Sequence, residues 1–281
     1  MALDEPIGVI GGSGFYQLLD GPVPRPVSTP YGAPSEVPAT GTLAGRDVVF
    51  LPRHGADHRF APHLVPYRAN LWALRSLGAR QVVSLSAVGS LDPSLGIGTL
   101  AVPDQLFDRT WGRSQTYFDD GHGVGHVSFA DPYCPRGRAA ALAGDGPSGG
   151  DGASGGSGLS RSGAIDGGTL VVINGPRFSS RAESRHYASL GGTLIGMTAL
   201  PEATLARELG LCYTTLALVT DLDAGVVEGE GVTHAAVLEQ FAENLPKLRD
   251  LLLHTLATLP DAQDDCSCGD TGHLPPGFTL P

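Results

Sequence analysis

Short apolar runs with β-branched members recur along the chain, and each gives way to small, polar or charged residues. Runs of this length and make-up predict strands buried on both faces. They fall at residues 7–10, 48–51, 81–90, 100–106 and 169–174, and a further run, 216–219, leads into two carboxylates. Between them the apolar spacing changes to the helical period. Residues 67–78 carry such a stripe and end in glycine, which favours a helix terminus. A helix is expected from near Arg136, and Pro201 and Glu202 open another that runs through Leu209. Residues 233–259 predict a long terminal helix, its apolar side packed on the sheet. Strands alternating with helices imply an α/β fold, with chemistry gathered where strands end.

The other segments complete the division of the chain. Residues 20–46 are rich in Pro and Gly and hold short β-like pieces. Residues 144–168 are low in complexity, too poor in apolar side chains to order themselves, and predict a flexible loop inside one domain. The domain is expected to span 1–260, with 261–281 an irregular, Pro-rich tail.

Candidate chemistry sits at the strand exits. Asp221 and Asp223 are two residues apart, so an extended backbone points both into one pocket, where two carboxylates cannot share one pKa. Gly11, Gly12, Ser13 and Gly14 form a turn that can either close tightly or cradle an anion. Arg53 and His54 end another strand; the guanidinium offers a bidentate fork and the imidazole a hydrogen bond. Ser86 and the Ala87 N–H suit phosphate oxygens, and Thr198 lies near a helix N-terminus as a cap or an anion contact. Phe178, after a Gly-Pro turn, is a platform for a flat ring or a core residue. Met197 reads as core filler on its own spacing. His122 and His126 stand in a long excursion beside glycines, where their spacing makes no metal argument.

Net charge of −11 argues against a nucleic-acid surface. No apolar run is long enough to span a bilayer, and the N-terminal residues lack a signal-peptide pattern, so a cytoplasmic location is expected. Four cysteines imply no disulfide framework. Cys134 and Cys212 read as small core residues. Cys266 and Cys268 form a CxC that is a redox pair, half of a metal site or two thiols in a loose tail. His273 is the one further ligand candidate nearby, and no metal site is assigned.

The stretches GVIGGSG, LPRHG, SAVGSL, DPYCP, GPRFSSRAES, GMTALPE and TDLD, in order over residues 8–223, resemble the trimeric purine nucleoside phosphorylase family, and within it the 5'-methylthioadenosine branch. The resemblance implies a single α/β domain with a mixed central sheet flanked by helices. It implies phosphorolysis of a 6-aminopurine nucleoside by inorganic phosphate, a co-substrate, with no cofactor. It assigns phosphate to Ser13, Arg53, His54, Ser86, Ala87 and Thr198, the ribose to Met197 and the base to Phe178. Asp221 would bond N7 of the leaving purine, and Asp223 would accept from the 6-amino group. Ser179 and Asp221 stand where 6-oxopurine relatives carry Glu and Asn. Val237 and Leu238 would form an apolar wall for the 5' substituent, and His126 would come from a neighbouring subunit of a homotrimer or dimer of trimers. His234 departs from the methylthio pattern and matches relatives that take a 5'-hydroxyl, so methylthio, hydroxyl and halogen stay open. A hydrolytic nucleosidase and a purine-binding regulator are the competing readings. Neither has a use for Arg53, Ser86 and Thr198 together with Asp221.

Overall fold

Alternation along four parallel strands decides the layers. The computed structural model of the chain describes residues 5–12, 19–119, 121, 123–143, 162–226 and 231–281. In it β4 (Arg46–Pro52), β1 (Ile7–Gly11), β5 (Gln81–Ser90) and β11 (Cys212–Leu222) lie side by side. Ile7, Val9, Phe50, Leu85, Leu216 and Leu218 enter one core. It is closed by Ala141 of α2 (Pro135–Leu142) and by Leu248 and Leu252 of α5 (His234–Thr258). The intervening Ile10, Leu51, Val82, Val88, Ala217 and Val219 enter the opposite core, with Leu71 and Leu74 of α1 (Tyr67–Ser76) and Ala203 and Leu205 of α4 (Ala199–Glu208). A period of two thus feeds two helical layers, and both faces of the sheet are dry.

The flanking strands make the sheet mixed. On the β4 side, β3 (Ala39–Leu43) and β2 (Asp20–Pro24) add antiparallel. On β5, the antiparallel β10 (Gly192–Gly196) carries β9 (Thr169–Ile173), and β9 carries β7 (Gln105–Arg109). On β11, β6 (Leu100–Val102) is antiparallel and pairs in turn with β8 (Ile165–Asp166). The pairing of β5 changes partner along its length. β1 holds it through Ser84, and β10 joins at Gly89. Residues 85–88 lie between these two ladders, at a topological switch point of the kind where open α/β sheets bind ligands.

Several expectations need correction. The run 100–106 is two strands, because Pro103 has no N–H to continue a ladder; β6 pairs with β11 and β7 with β9. The run 81–90, whose small residues at its end suggest that the strand gives way to a turn, stays extended through Ser90. Helix α3 (Arg181–Ser189) was not anticipated, although Ser180 and Glu183 form a reciprocal capping box whose spacing is visible in the sequence. Of the predicted loop 144–168, residues 144–161 lie outside the described residues. The rest is not loose: Ala164 and Ile165 are buried and β8 joins the sheet.

The tail 261–281 is irregular as expected, but it is packed. Phe278 meets Trp72 and Phe118 edge-on, at centroid distances of 6.0 and 5.0 Å. Gln263 donates to the Gly210 carbonyl at 2.9 Å, and Cys268 is buried.

One charged pair ties the layers together. Arg53, just past β4, sends Nε and Nη2 to the two carboxylate oxygens of Glu202 in α4, at 2.8 and 2.9 Å. Ser84 of β5 and Tyr213 of β11 also donate to Glu202, at 2.8 and 2.7 Å. Both charged side chains are almost fully buried. Burial is the largest single influence and opposes the charge on each, but the partner's charge and the hydrogen bonds together outweigh it, so Arg53 is held well above and Glu202 below its ordinary pKa. Removing one partner leaves an unpaired buried ion, which costs about 3–5 kcal/mol. Glu202→Ala is therefore expected to lower stability by that amount in urea unfolding. An unchanged midpoint would remove this pair from its structural role.

Candidate active site

A cavity of about 810 Å³ opens at the β5 switch point. Leu85 to Gly89 of β5 form its floor, with Gly12 after β1, Arg53 and His54 after β4, and Ile195 to Thr198 at the end of β10. Ile195 pairs with Gly89 in antiparallel register, so Met197 and Thr198 run on beside Ala87 and Ser86. The first turns of α5 cover the mouth. His234, Val237, Leu238, Phe241, Ala242 and Leu245 recur at helical spacing and all line the cavity. Phe178 and Pro176 line another wall.

The groups around Ser86 suit an oxyanion, though not by the clamp the sequence suggested. Arg53 does not present a bidentate fork. Two of its N–H groups go to Glu202, one to Ser84 Oγ at 2.6 Å and one to the Leu85 carbonyl at 2.9 Å, which leaves one of five donors. His54 is neutral: burial, then the Arg53 charge, pushes it down to about 4. Its Nδ1 lies 2.8 Å from the Phe60 carbonyl, which can only accept. The proton therefore sits on Nδ1, and Nε2 is an acceptor for a protonated oxyanion. The Ser86 hydroxyl is buried without a hydrogen-bond partner among the described residues. Thr198 occupies the N-cap of α4 but makes no side-chain cap bond, so its hydroxyl stays available. Ser13 lies outside the described residues.

About 10 Å further along β5, at a rise of roughly 3.3 Å per residue, is Gly89, whose cross-strand partner is Asp221. A Cβ at Gly89 would stand 2.8 Å from Asp221 Oδ1 and 3.0 Å from Ile195 Cγ2. The bare glycine lets the carboxylate lie across the strand. A bulge between Val219 and Asp221 re-aims the chain there, and both Asp221 and Asp223 line the cavity. Burial raises the Asp221 pKa to about 6; the Thr220 hydroxyl opposes this and the Asp223 charge adds to it. Asp223 is buried and accepts from the Ser184 hydroxyl of α3, and its backbone N–H reaches the Ser90 carbonyl at 3.0 Å. Gly175, at φ +63, gives Met197 the same kind of access, since a Cβ there would meet its sulfur at 2.5 Å.

Two candidates are not brought in. Ser179 is buried with no partner for its hydroxyl among the described residues, but does not line the cavity. His126 is exposed and absent from the lining of this chain's cavity. Several lining residues had no sequence signal beyond their neighbours. His58 stacks on His54 at a centroid distance of 4.6 Å, and its pKa is lowered by burial and then by the charge of His234. Phe60, Phe241 and Leu245 complete an apolar wall. Glu202, read as a helix-opening residue, orients Arg53. The four cysteines, read apart, come together elsewhere in the fold.

Comparison with known proteins identifies the family. A family model described as the phosphorylase superfamily matches residues 6–257. A purine nucleoside phosphorylase of Streptomyces coelicolor is 54% identical over 98% of this chain and 97% of its own. An S-methyl-5'-thioadenosine phosphorylase of Mycolicibacterium smegmatis is 52% identical over 98% of this chain and 99% of its own. The structure of methylthioadenosine phosphorylase from Schistosoma mansoni in complex with adenine superposes with a TM-score of 0.79 at 36% identity, covering 90% of this chain and 91% of that one.

The raised Asp221 pKa carries a consequence for stability. A carboxyl at about 6 when folded and near 3.8 when unfolded binds its proton more tightly in the folded state. Its contribution is fully present below 3.8 and is lost as pH rises through about 6. Asp221→Asn cannot titrate. In the ligand-free protein, the variant's stability relative to the parent is expected to rise between pH 4 and 7 in urea melts. A difference that stays flat with pH would contradict the assignment.

Proposed function

The chain belongs to the phosphorylase superfamily, and from that premise we propose that it catalyses phosphorolysis of a 6-aminopurine nucleoside, first of all 5'-methylthioadenosine, to adenine and 5-methylthioribose 1-phosphate. It is a pentosyltransferase of nucleoside salvage with phosphate as co-substrate. The observation that carries this reading is one cavity lined by Ser86, whose buried hydroxyl has no partner among the described residues, by Thr198, which makes no cap bond, and by Asp221, whose raised carboxyl lies across from Gly89, three residues beyond Ser86 on β5.

The chemistry follows from that spacing. Breaking the glycosidic bond leaves positive charge on the sugar and negative charge on the base. Phosphate held by Arg53, His54, Ser86, Ala87 and Thr198 compensates the first as it attacks C1'. Asp221 relieves the second by sharing a proton with N7. A carboxyl near pH 6 is better matched to this than an ordinary aspartic acid. Asp223, with Ser184 donating to one oxygen, offers the other to an exocyclic amino group. Met197 would lie against the ribose and Phe178 against the base, and Ser179 stands where 6-oxopurine relatives would carry a glutamate.

We read the assembly as a homotrimer in the cytoplasm. His126, exposed in one chain, would then reach a neighbour's 5' subsite. Among the described residues no helix is long and apolar enough to cross a membrane.

A specific observation favours a second reading. His234 lines the cavity beside Val237 and Leu238, close enough to His58 to depress its pKa. An imidazole there suits a 5'-hydroxyl, and one similar protein is named a purine nucleoside phosphorylase. Val237 and Leu238 keep the rest of that wall apolar, so methylthioadenosine and adenosine are expected to overlap as substrates.

The test is turnover of methylthioadenosine, adenosine and inosine with and without phosphate. Cleavage should require phosphate, and both 6-amino substrates should exceed inosine in kcat/KM. Phosphate-independent cleavage would support a nucleosidase instead. Asp221→Ala is expected to lower kcat by about 10²–10⁴-fold with phosphate affinity little changed. A variant that turns over like the parent would remove Asp221 from catalysis.

A further inference from the structure

Three distant segments deliver four thiols to one point on the side of the fold where β11 begins. Cys134 is the N-cap of α2, Cys212 is the first residue of β11, and in the tail Cys266 precedes a short turn, Ser267–Gly269, that contains Cys268. Their sulfurs all lie within 4.8 Å of one another. Cys134, Cys212 and Cys268 are buried and Cys266 is half-buried. The chain has no other cysteine. We propose that these four residues form a tetrahedral thiolate site for one zinc ion, which pins the C-terminal tail to β11 and α2.

The geometry distinguishes this from other uses of the same thiols. A tetrahedron with zinc–sulfur bonds of about 2.3 Å has edges of about 3.8 Å, within the observed limit. A disulfide needs sulfurs about 2.05 Å apart, whereas Cys212 and Cys266 Sγ are 3.4 Å apart and all four are free. A pair of bridges would also need no convergence of all four on one centre. An all-sulfur tetrahedral set selects zinc or iron, and zinc is the redox-inert choice for a closed structural site. On binding, each thiol releases its proton to solvent and no electron moves.

The surroundings suit a sulfur-bound cation. The Gln263 amide donates to Cys212 Sγ at 3.3 Å and also to the Gly210 carbonyl, so the outer sphere ties the tail to the turn before β11. The helix N-terminus at Cys134 favours a thiolate there. His273, the other ligand candidate nearby in sequence, is engaged by the Glu208 carbonyl at 3.1 Å and stands outside the set. Beyond the cluster the tail runs on to cover Trp72 and Phe118 with Phe278. Cys212 and Asp221 lie at opposite ends of β11, about 30 Å apart at a strand's rise. The site therefore supports the fold without touching the cavity.

The full-length protein, purified under reducing conditions without chelator, should contain roughly one zinc per chain by elemental analysis. A mercurial that titrates the thiols should release it. Cobalt substitution should give the ligand-field and thiolate charge-transfer bands of a tetrahedral tetrathiolate. The double variant Cys266→Ser, Cys268→Ser leaves the buried strand and helix intact; it should lose the zinc and melt lower, yet retain nucleoside cleavage at moderate temperature. Protein that stays metal-free after zinc is supplied to reduced thiols would overturn the proposal. So would iron in place of zinc, disulfides among the four cysteines under reducing conditions, or zinc retained by the double variant.

Discussion

The buried pair of Arg53 and Glu202 is the constraint on which the site rests. A guanidinium and a carboxylate sealed inside an apolar core are tolerable only if each satisfies the other. Here that demand brings the exit of β4, the middle of β5, the start of α4 and the first part of β11 to one point. The same demand takes most of the arginine's donors, so the cation that looks from sequence like an anion clamp is chiefly a brace. It still lines the cavity, and its positive field adds to burial in keeping His54 uncharged.

The brace matters because of where the sheet is open. β5 is held by β1 along its first half and by β10 at its end, and between the two ladders its edge faces a cavity. Strand exits on both sides contribute polar groups to that gap, while α5 covers it with apolar ones. One extended strand therefore carries an oxyanion end and a carboxylate end at a distance set by its own rise. The glycine at 89 is part of this ruler, because a side chain there would displace Asp221.

The two aspartates are tuned by different neighbours. Asp221 is pushed towards neutrality mainly by burial, with Thr220 pulling the other way. Asp223 is fixed by the Ser184 hydroxyl from α3, a helix started by the capping box of Ser180 and Glu183. A short helix packed on β10, with no residue of its own in the cavity lining, thus positions a recognition carboxylate. The position of Ser184 on that helix is a matter of packing, which no local pattern announces.

Much of the architecture is written into local pattern. Apolar runs with a period of two, helical stripes between them and polar residues at the exits are properties of neighbouring residues. They determine the α/β class, most of the elements and the pairing of Asp221 with Asp223 in one pocket. The motifs around Arg53, Phe178 and Thr198 stand at element ends and meet in one cavity. What tertiary structure alone decided depends on residues far apart in the chain: the capture of Arg53 by Glu202, the proton on Nδ1 of His54 imposed by Phe60, and the absence of His126 from this chain's own cavity. The tail shows the difference most plainly. Its composition reads as loose, because spacing says nothing about Cys134 and Cys212 waiting across the fold. Local sequence sets how the backbone wants to run, whereas burial, charge pairing and convergence arise only when distant segments exclude water together.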